Sequence, residues 1–153
     1  MDLIKVGDAA PDFTLKDNED KDVTLSSFKG KKVLLSWHPL AWTSVCMDQM
    51  RSIERNKEAF RKLNTVTLGL SVDSQPCKNI WADVLRLEEL RILADFWPHG
   101  KTSKDYGLFI EDHGISGRAN VIIDEAGIVR WVKVYRLSQL PDIDEVLKVL
   151  SEM

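Results

Sequence analysis

Residues Lys32 to Trp37 read Lys-Val-Leu-Leu-Ser-Trp, a run with almost no polar alternation. A strand wetted on one side alternates, so an unbroken apolar run belongs to a strand buried on both faces, in the middle of a sheet. Pro39 closes it, because proline has no N–H to give to a ladder. From Ser44 to Leu63 the residues Val45, Met47, Met50, Ile53, Ala59, Phe60 and Leu63 recur at spacings near three and four. That spacing predicts one amphipathic helix across the stretch. A central strand followed by a covering helix starts an α/β sheet.

The remaining chain extends this pattern. Asp12–Leu15 and Val23–Leu25 suit a small hairpin, and Ser26–Gly30 a single helical turn. Thr65–Val72 is a second buried strand. A helix is expected from Pro76 to Leu87, where Pro76 fits the first turn. Ile92–Ala94 reads as a brief strand and Ser103–Tyr106 as a short helix ended by Gly107. Asn120–Asp124 and Ile128–Tyr135 are strands joined by Glu125-Ala126-Gly127, and Asp142–Leu150 has helical spacing behind Pro141. The order predicts a mixed α/β sheet with helices on its faces, with residues 1–153 forming one domain.

Charge and cysteine content narrow the function. Twenty-one Lys and Arg against 24 Asp and Glu leave a net charge of −3, which offers no positive field for nucleic acid or an anionic membrane. The start, MDLIKVGDAAPDF, lacks a basic segment followed by an apolar stretch, and no run reaches the roughly 20 apolar residues of a spanning helix. A cytoplasmic location is expected. Cys46 and Cys77 are too few for a disulfide-stapled scaffold or a sulfur-built zinc site. His38, His99 and His113 show no ligand spacing with them, so neither a metal nor any other cofactor is expected.

Cys46 lies in the first turn of the predicted helix, within Trp37-His38-Pro39-Leu40-Ala41-Trp42-Thr43-Ser44-Val45-Cys46. Unpaired backbone N–H groups and the positive end of the helix dipole both favour thiolate over thiol there. An ordinary cysteine is only a few per cent thiolate at neutral pH, so such help matters to a nucleophile. The same N–H groups can receive the negative oxygen that departs when a thiolate attacks an O–O bond. Thr43 can place a hydroxyl over the sulfur as donor and acceptor, and Pro39 can wall off water.

The residues PLAWTSVC carry the pattern P-x-x-x-T-x-x-C, and the chain resembles the peroxiredoxin family, thiol peroxidases on a thioredoxin-like fold. The resemblance runs through GDAAPDFTLKDNEDKDVTLSSFKGKKVLLSW and again through YGLFIEDHGISGRANVIIDEAGIVRW. LADFWPHGKTSKDYGLF looks closest to the one-cysteine alkyl hydroperoxide reductase E subgroup. The resemblance implies that Cys46 is the peroxidatic cysteine, that Thr43 and Pro39 shape its pocket, and that Arg118 is the active-site arginine with Gln49 beside it. It implies reduction of hydrogen peroxide and organic hydroperoxides, a thioredoxin-, glutaredoxin- or mycoredoxin-like reductant, and a homodimer formed beside the active-site loops. Trp42 stands where Phe is commoner, and His38 where a second aromatic often sits.

Cys77 follows Cys46 by 31 residues, away from the carboxy-terminal position of a typical resolving cysteine. Some members of the bacterioferritin comigratory subgroup carry a resolving cysteine on the corresponding helix, so Cys77 is either the resolving thiol or a small, partly buried residue. Gln75, Lys78 and Asn79 around it point to exposure, and a lysine neighbour favours a thiolate. Trp42 and Phe96-Trp97-Pro98 are candidates for the dimer surface. The competing readings are a thiol-disulfide oxidoreductase on the same fold, disfavoured because Met47-Asp48-Gln49 leaves no C-x-x-C motif, and a non-catalytic peroxide sensor.

Overall fold

In the computed structural model, which describes residues 2–153, strands and helices run β1 (Thr14–Lys16), β2 (Asp22–Thr24), β3 (Lys32–Trp37), α1 (Ser44–Arg55), α2 (Lys57–Lys62), β4 (Thr65–Ser71), α3 (Gln75–Leu85), β5 (Arg91–Ala94), α4 (Lys101–Asp105), β6 (Phe109–Ile110), β7 (Ile115–Ser116), β8 (Arg118–Ile123), β9 (Val129–Tyr135) and α5 (Ile143–Ser151). Seven strands form one sheet in the order β2-β1-β5-β4-β3-β8-β9. The middle pairs β3/β4 and β4/β5 are parallel, and β8 joins β3 antiparallel. The expected mixed sheet is present, with β3 inside it.

Side-chain parity on β3 separates two cores. Val33, Leu35 and Trp37 face a layer with Leu68, Leu70, Val121, Ile123, Tyr106 and Phe13. Leu34 faces the other layer, where α1, α3 and α5 supply Cys46, Met50, Ile53, Trp81, Leu85, Val146 and Leu150. Alternate residues of a pleated strand point to opposite faces, so a run buried on both sides needs apolar residues throughout. On β4 the second face carries Thr65, Thr67, Gly69 and Ser71, with Gly69 opposite α1. A Cβ there would lie 2.6 Å from Met50 Sδ and 3.0 Å from Ile92 Cγ2, so glycine is what lets α1 approach the sheet.

The predicted single helix from Ser44 to Leu63 is instead two. Asn56 sits at φ −101°, ψ 17°, between α1 and α2. Its side-chain Nδ2 donates to the Ser52 carbonyl at 2.7 Å, taking the acceptor that the next backbone N–H of a continuing helix would use. α3 is capped by Ser74, whose hydroxyl accepts from the Cys77 N–H at 3.4 Å, and ends two residues earlier than expected, with Arg86 in the left-handed region at φ 57°. The β6/β7 hairpin was not expected: two residues per strand are too few to show alternation. Among the described residues no helix is long and apolar enough to cross a membrane.

Candidate active site

Topology brings distant residues to one end of the sheet. Residues 38–46 leave the carboxy-terminal end of β3, and β8 enters antiparallel beside it, with Trp37 opposite Ala119. Arg118, the first residue of β8, therefore arrives next to the first turn of α1. Cys46 is the third residue of that helix and is fully buried. Its Sγ lies 3.4 Å from Arg118 Nη1.

The guanidinium is fixed on three sides. Nη1 also donates to Gln49 Oε1 at 2.6 Å, and Nε and Nη2 donate to the Leu137 carbonyl at 3.1 and 2.7 Å. Gln49, one turn after Cys46 on the inner face of α1, is held in turn: its Nε2 donates to Ser36 Oγ at 2.7 Å and to the Trp37 carbonyl at 3.1 Å. Because Gln49 has an acceptor and two donors on one group, it can accept from Arg118 and still donate to β3. The chain of contacts leaves the guanidinium little freedom, so its permanent charge stays at the sulfur.

The loop before the helix is built to leave the first-turn N–H groups open. Thr43 caps α1, but its side chain makes no cap hydrogen bond. The sequence places its hydroxyl over the sulfur; in the structure Oγ1 donates back to the Leu40 carbonyl at 3.0 Å, which leaves its lone pairs to accept from a ligand. Trp42, just before it, has φ 74°, a costly conformation for a residue with a Cβ. Asp73 helps to hold this turn, accepting from the Ala41 N–H at 2.8 Å and from Ser71 Oγ at 2.5 Å. Pro39 is buried beneath the loop.

Three contributors had no sequence pattern to reveal them: Ser36, Asp73 and the Leu137 carbonyl. The last is a backbone group and has none by nature. Cys77 stands in the first turn of α3, half-buried, and packs against the core layer that contains Cys46; both thiols are free. Lys78 overturns the expectation of an exposed lysine beside Cys77, since it points inward and is fully buried. Trp42 and Trp97 are 47% and 81% exposed, while Trp37 and Trp81 are core residues. Among the described residues no group of three His, Cys, Asp or Glu could hold a metal ion.

The sequence model of the AhpC/TSA family matches residues 6–132. The chain belongs to that family. Among its relatives, an alkyl hydroperoxide reductase E of Mycobacterium bovis is 36% identical over 141 residues, covering 92% of each chain. A thioredoxin peroxidase of Echinococcus granulosus is 36% identical over 155 residues, covering 95% of this chain and 79% of the relative. The crystal structure of the reduced 2-Cys peroxiredoxin of Plasmodium vivax superposes with a TM-score of 0.87 at 31% identity, over 95% of this chain and 80% of that one. As an AhpC/TSA protein with a peroxiredoxin as structural neighbour, the chain has the thioredoxin-like fold expected from its sequence.

Proposed function

We propose that this AhpC/TSA protein is a thiol-dependent peroxidase that reduces hydrogen peroxide and organic hydroperoxides with Cys46. The observation that carries the reading is a guanidinium nitrogen 3.4 Å from a sulfur in the first turn of a helix. The thiolate attacks one peroxide oxygen, an S–O bond forms and the O–O bond breaks. Sulfur is oxidised to sulfenic acid, and the other oxygen leaves as hydroxide or alkoxide, taking a proton to become water or alcohol. Arg118 and the open N–H groups of α1 meet the developing negative charge, and Thr43 Oγ1 accepts the hydrogen bond of the entering peroxide. Buried Pro39, with no N–H, keeps competing water from the sulfur side.

Burial of Cys46 restricts what can follow. A small peroxide needs only a narrow approach, but a protein thiol cannot reach a fully buried sulfur without local opening of the α1 first turn. Opening of that turn would let Cys77 resolve the sulfenic acid as an internal disulfide, since it already packs against the same layer. Where Cys77 does not react, a thioredoxin-, glutaredoxin- or mycoredoxin-like protein supplies the thiol. The two free cysteines suit the reducing cytoplasm. The exposed Trp42, Phe96 and Trp97 would be covered in a homodimer, which light scattering at about micromolar concentration tests; a monomer removes it. For the activity itself, peroxide consumption by reduced protein should vanish in Cys46→Ser and persist in a surface control such as Lys62→Ser.

A further inference from the structure

Lys78 and His38 take part in no step above, yet they join the helix that carries Cys77 to the segment that leads to Cys46. Lys78 Nζ lies 2.8 Å from His38 Nε2, and both side chains are fully buried. His38 is the first residue after β3, and it is fixed. Its N–H donates to the Leu70 carbonyl at 2.9 Å, its own carbonyl accepts from Ser116 Oγ at 3.2 Å, and its ring rests against Trp81 with centroids 5.2 Å apart. Lys78 follows Cys77 directly, in the first turn of α3. The contact therefore ties that turn to a fixed point in the core.

Few other bonds hold the turn. Pro76 has no N–H, the Cys77 N–H reaches the capping Ser74 Oγ only at 3.4 Å, and the Lys78 N–H donates to the Ser74 carbonyl at 3.0 Å. On the solvent side Gln75 Nε2 and Asn79 Nδ2 both donate to the Asn18 carbonyl, at 3.1 and 2.9 Å. Lys78 is the polar anchor on the core side, and it is held there at a cost. Burial pushes its amine down to about 7 and keeps His38 well below its ordinary range, so the imidazole is neutral and accepts. Among the described residues no carboxylate lies within ion-pair distance of the amine, and neither His38 Nδ1 nor the nearby Trp81 Nε1 has a hydrogen-bond partner. A buried amine with one neutral partner is costly to keep inside. The first turn of α3 is therefore a segment poised for local opening.

We propose that the Lys78–His38 hydrogen bond is the catch that holds Cys77 in the first turn of α3, and that its release frees Cys77 to meet the Cys46 sulfenic acid. Lys78 and His38 are then positioning residues for the resolving step, an inference that rests on the reading above that Cys77 resolves. A disulfide needs both sulfurs and both backbones in a narrow geometry, so α3 has to yield along with the opened turn of α1. The freed Cys77 thiolate attacks the Cys46 sulfur. The S–S bond forms, the S–O bond breaks, and the departing hydroxide takes up the proton that Cys77 gave, leaving as water. The peroxide already consumed is the only oxidant required.

The catch is read without peroxide, from hydrogen exchange of the Cys77 and Lys78 backbone N–H groups in the reduced protein. His38→Phe removes the acceptor and leaves the amine unpaired, so both N–H groups should exchange about tenfold faster. His38→Gln keeps an acceptor and should stay near wild type. Lys78→Met fills the same space without the buried amine, so exchange should slow about tenfold. After one equivalent of hydrogen peroxide, the disulfide, read by intact mass in quenched samples, should form faster in His38→Phe and slower in Lys78→Met by similar factors. Exchange unchanged in either folded variant, or a disulfide rate that does not follow a changed exchange, overturns the proposal. If His38→Phe does not fold, Lys78→Met decides alone. A wild-type protein that forms no internal disulfide ends the resolving role of Cys77, and the exchange measurement still decides what holds the turn.

Discussion

Gln49 and Cys46 share a single donor, Nη1 of Arg118, which lies 2.6 Å from the Gln49 Oε1 and 3.4 Å from the Cys46 sulfur. Both acceptors sit on the inner face of α1, one helical turn apart, so the helix aims the arginine as well as the thiol. The remaining donors end on the Leu137 carbonyl, which ties the site to the chain just after β9.

Lysine cannot reproduce that geometry. Arg118→Lys keeps a positive charge but loses the fork that spans sulfur, Gln49 and Leu137, so the peroxide rate constant should fall about 10²- to 10³-fold. Stopped-flow measurement against wild type checks this. A loss below about threefold would show that charge alone suffices.

The buried amine also makes stability depend on pH. Lys78 titrates near 7 when folded and at its ordinary value, near 10.5, when unfolded. Between those values the unfolded chain binds more protons, so this group makes stability rise with pH, and below the folded value its full penalty applies. Lys78→Met should remove that slope and stabilise the protein at neutral pH by about 1–3 kcal/mol. Urea denaturation at several pH values measures it, and a parallel pair of curves would contradict the expectation.

Packing at Gly69 predicts a cost of another kind. Gly69→Ala places a methyl 2.6 Å from Met50 Sδ, on the turn of α1 that follows Cys46, and should lower stability by about 1–3 kcal/mol. An unchanged denaturation midpoint would mean that Met50 moves aside freely.

Resolution by Cys77 has a direct chemical signature. Cys77→Ser should still form a sulfenic acid but yield no internal disulfide, which non-reducing intact mass reports. Identical masses for variant and wild type after peroxide would assign resolution to an outside thiol.

How much could be read from the residues depended on the range of the interaction. β3 was legible because its apolar run has one explanation, and the first-turn place of Cys46 followed from the helical spacing behind Pro39. The division of the long helix was not, since it turns on one Asn56 side chain competing for the Ser52 carbonyl. Arg118 could be tied to Cys46 only by resemblance, because antiparallel pairing of β3 with β8 is a property of the whole sheet. Lys78 was misread for a related reason. Lysine among polar neighbours normally faces water, and only His38, carried in from the end of β3, gives its amine a place inside.

The central claim is tested most directly by mixing reduced protein with one equivalent of hydrogen peroxide, following tryptophan fluorescence, then blocking thiols and weighing the intact chain. The account predicts a rapid change that consumes the Cys46 thiol, leaving either one added oxygen or the loss of two hydrogens to a Cys46–Cys77 disulfide, and no reaction in Cys46→Ser. A wild-type chain that keeps both thiols and its original mass would contradict it.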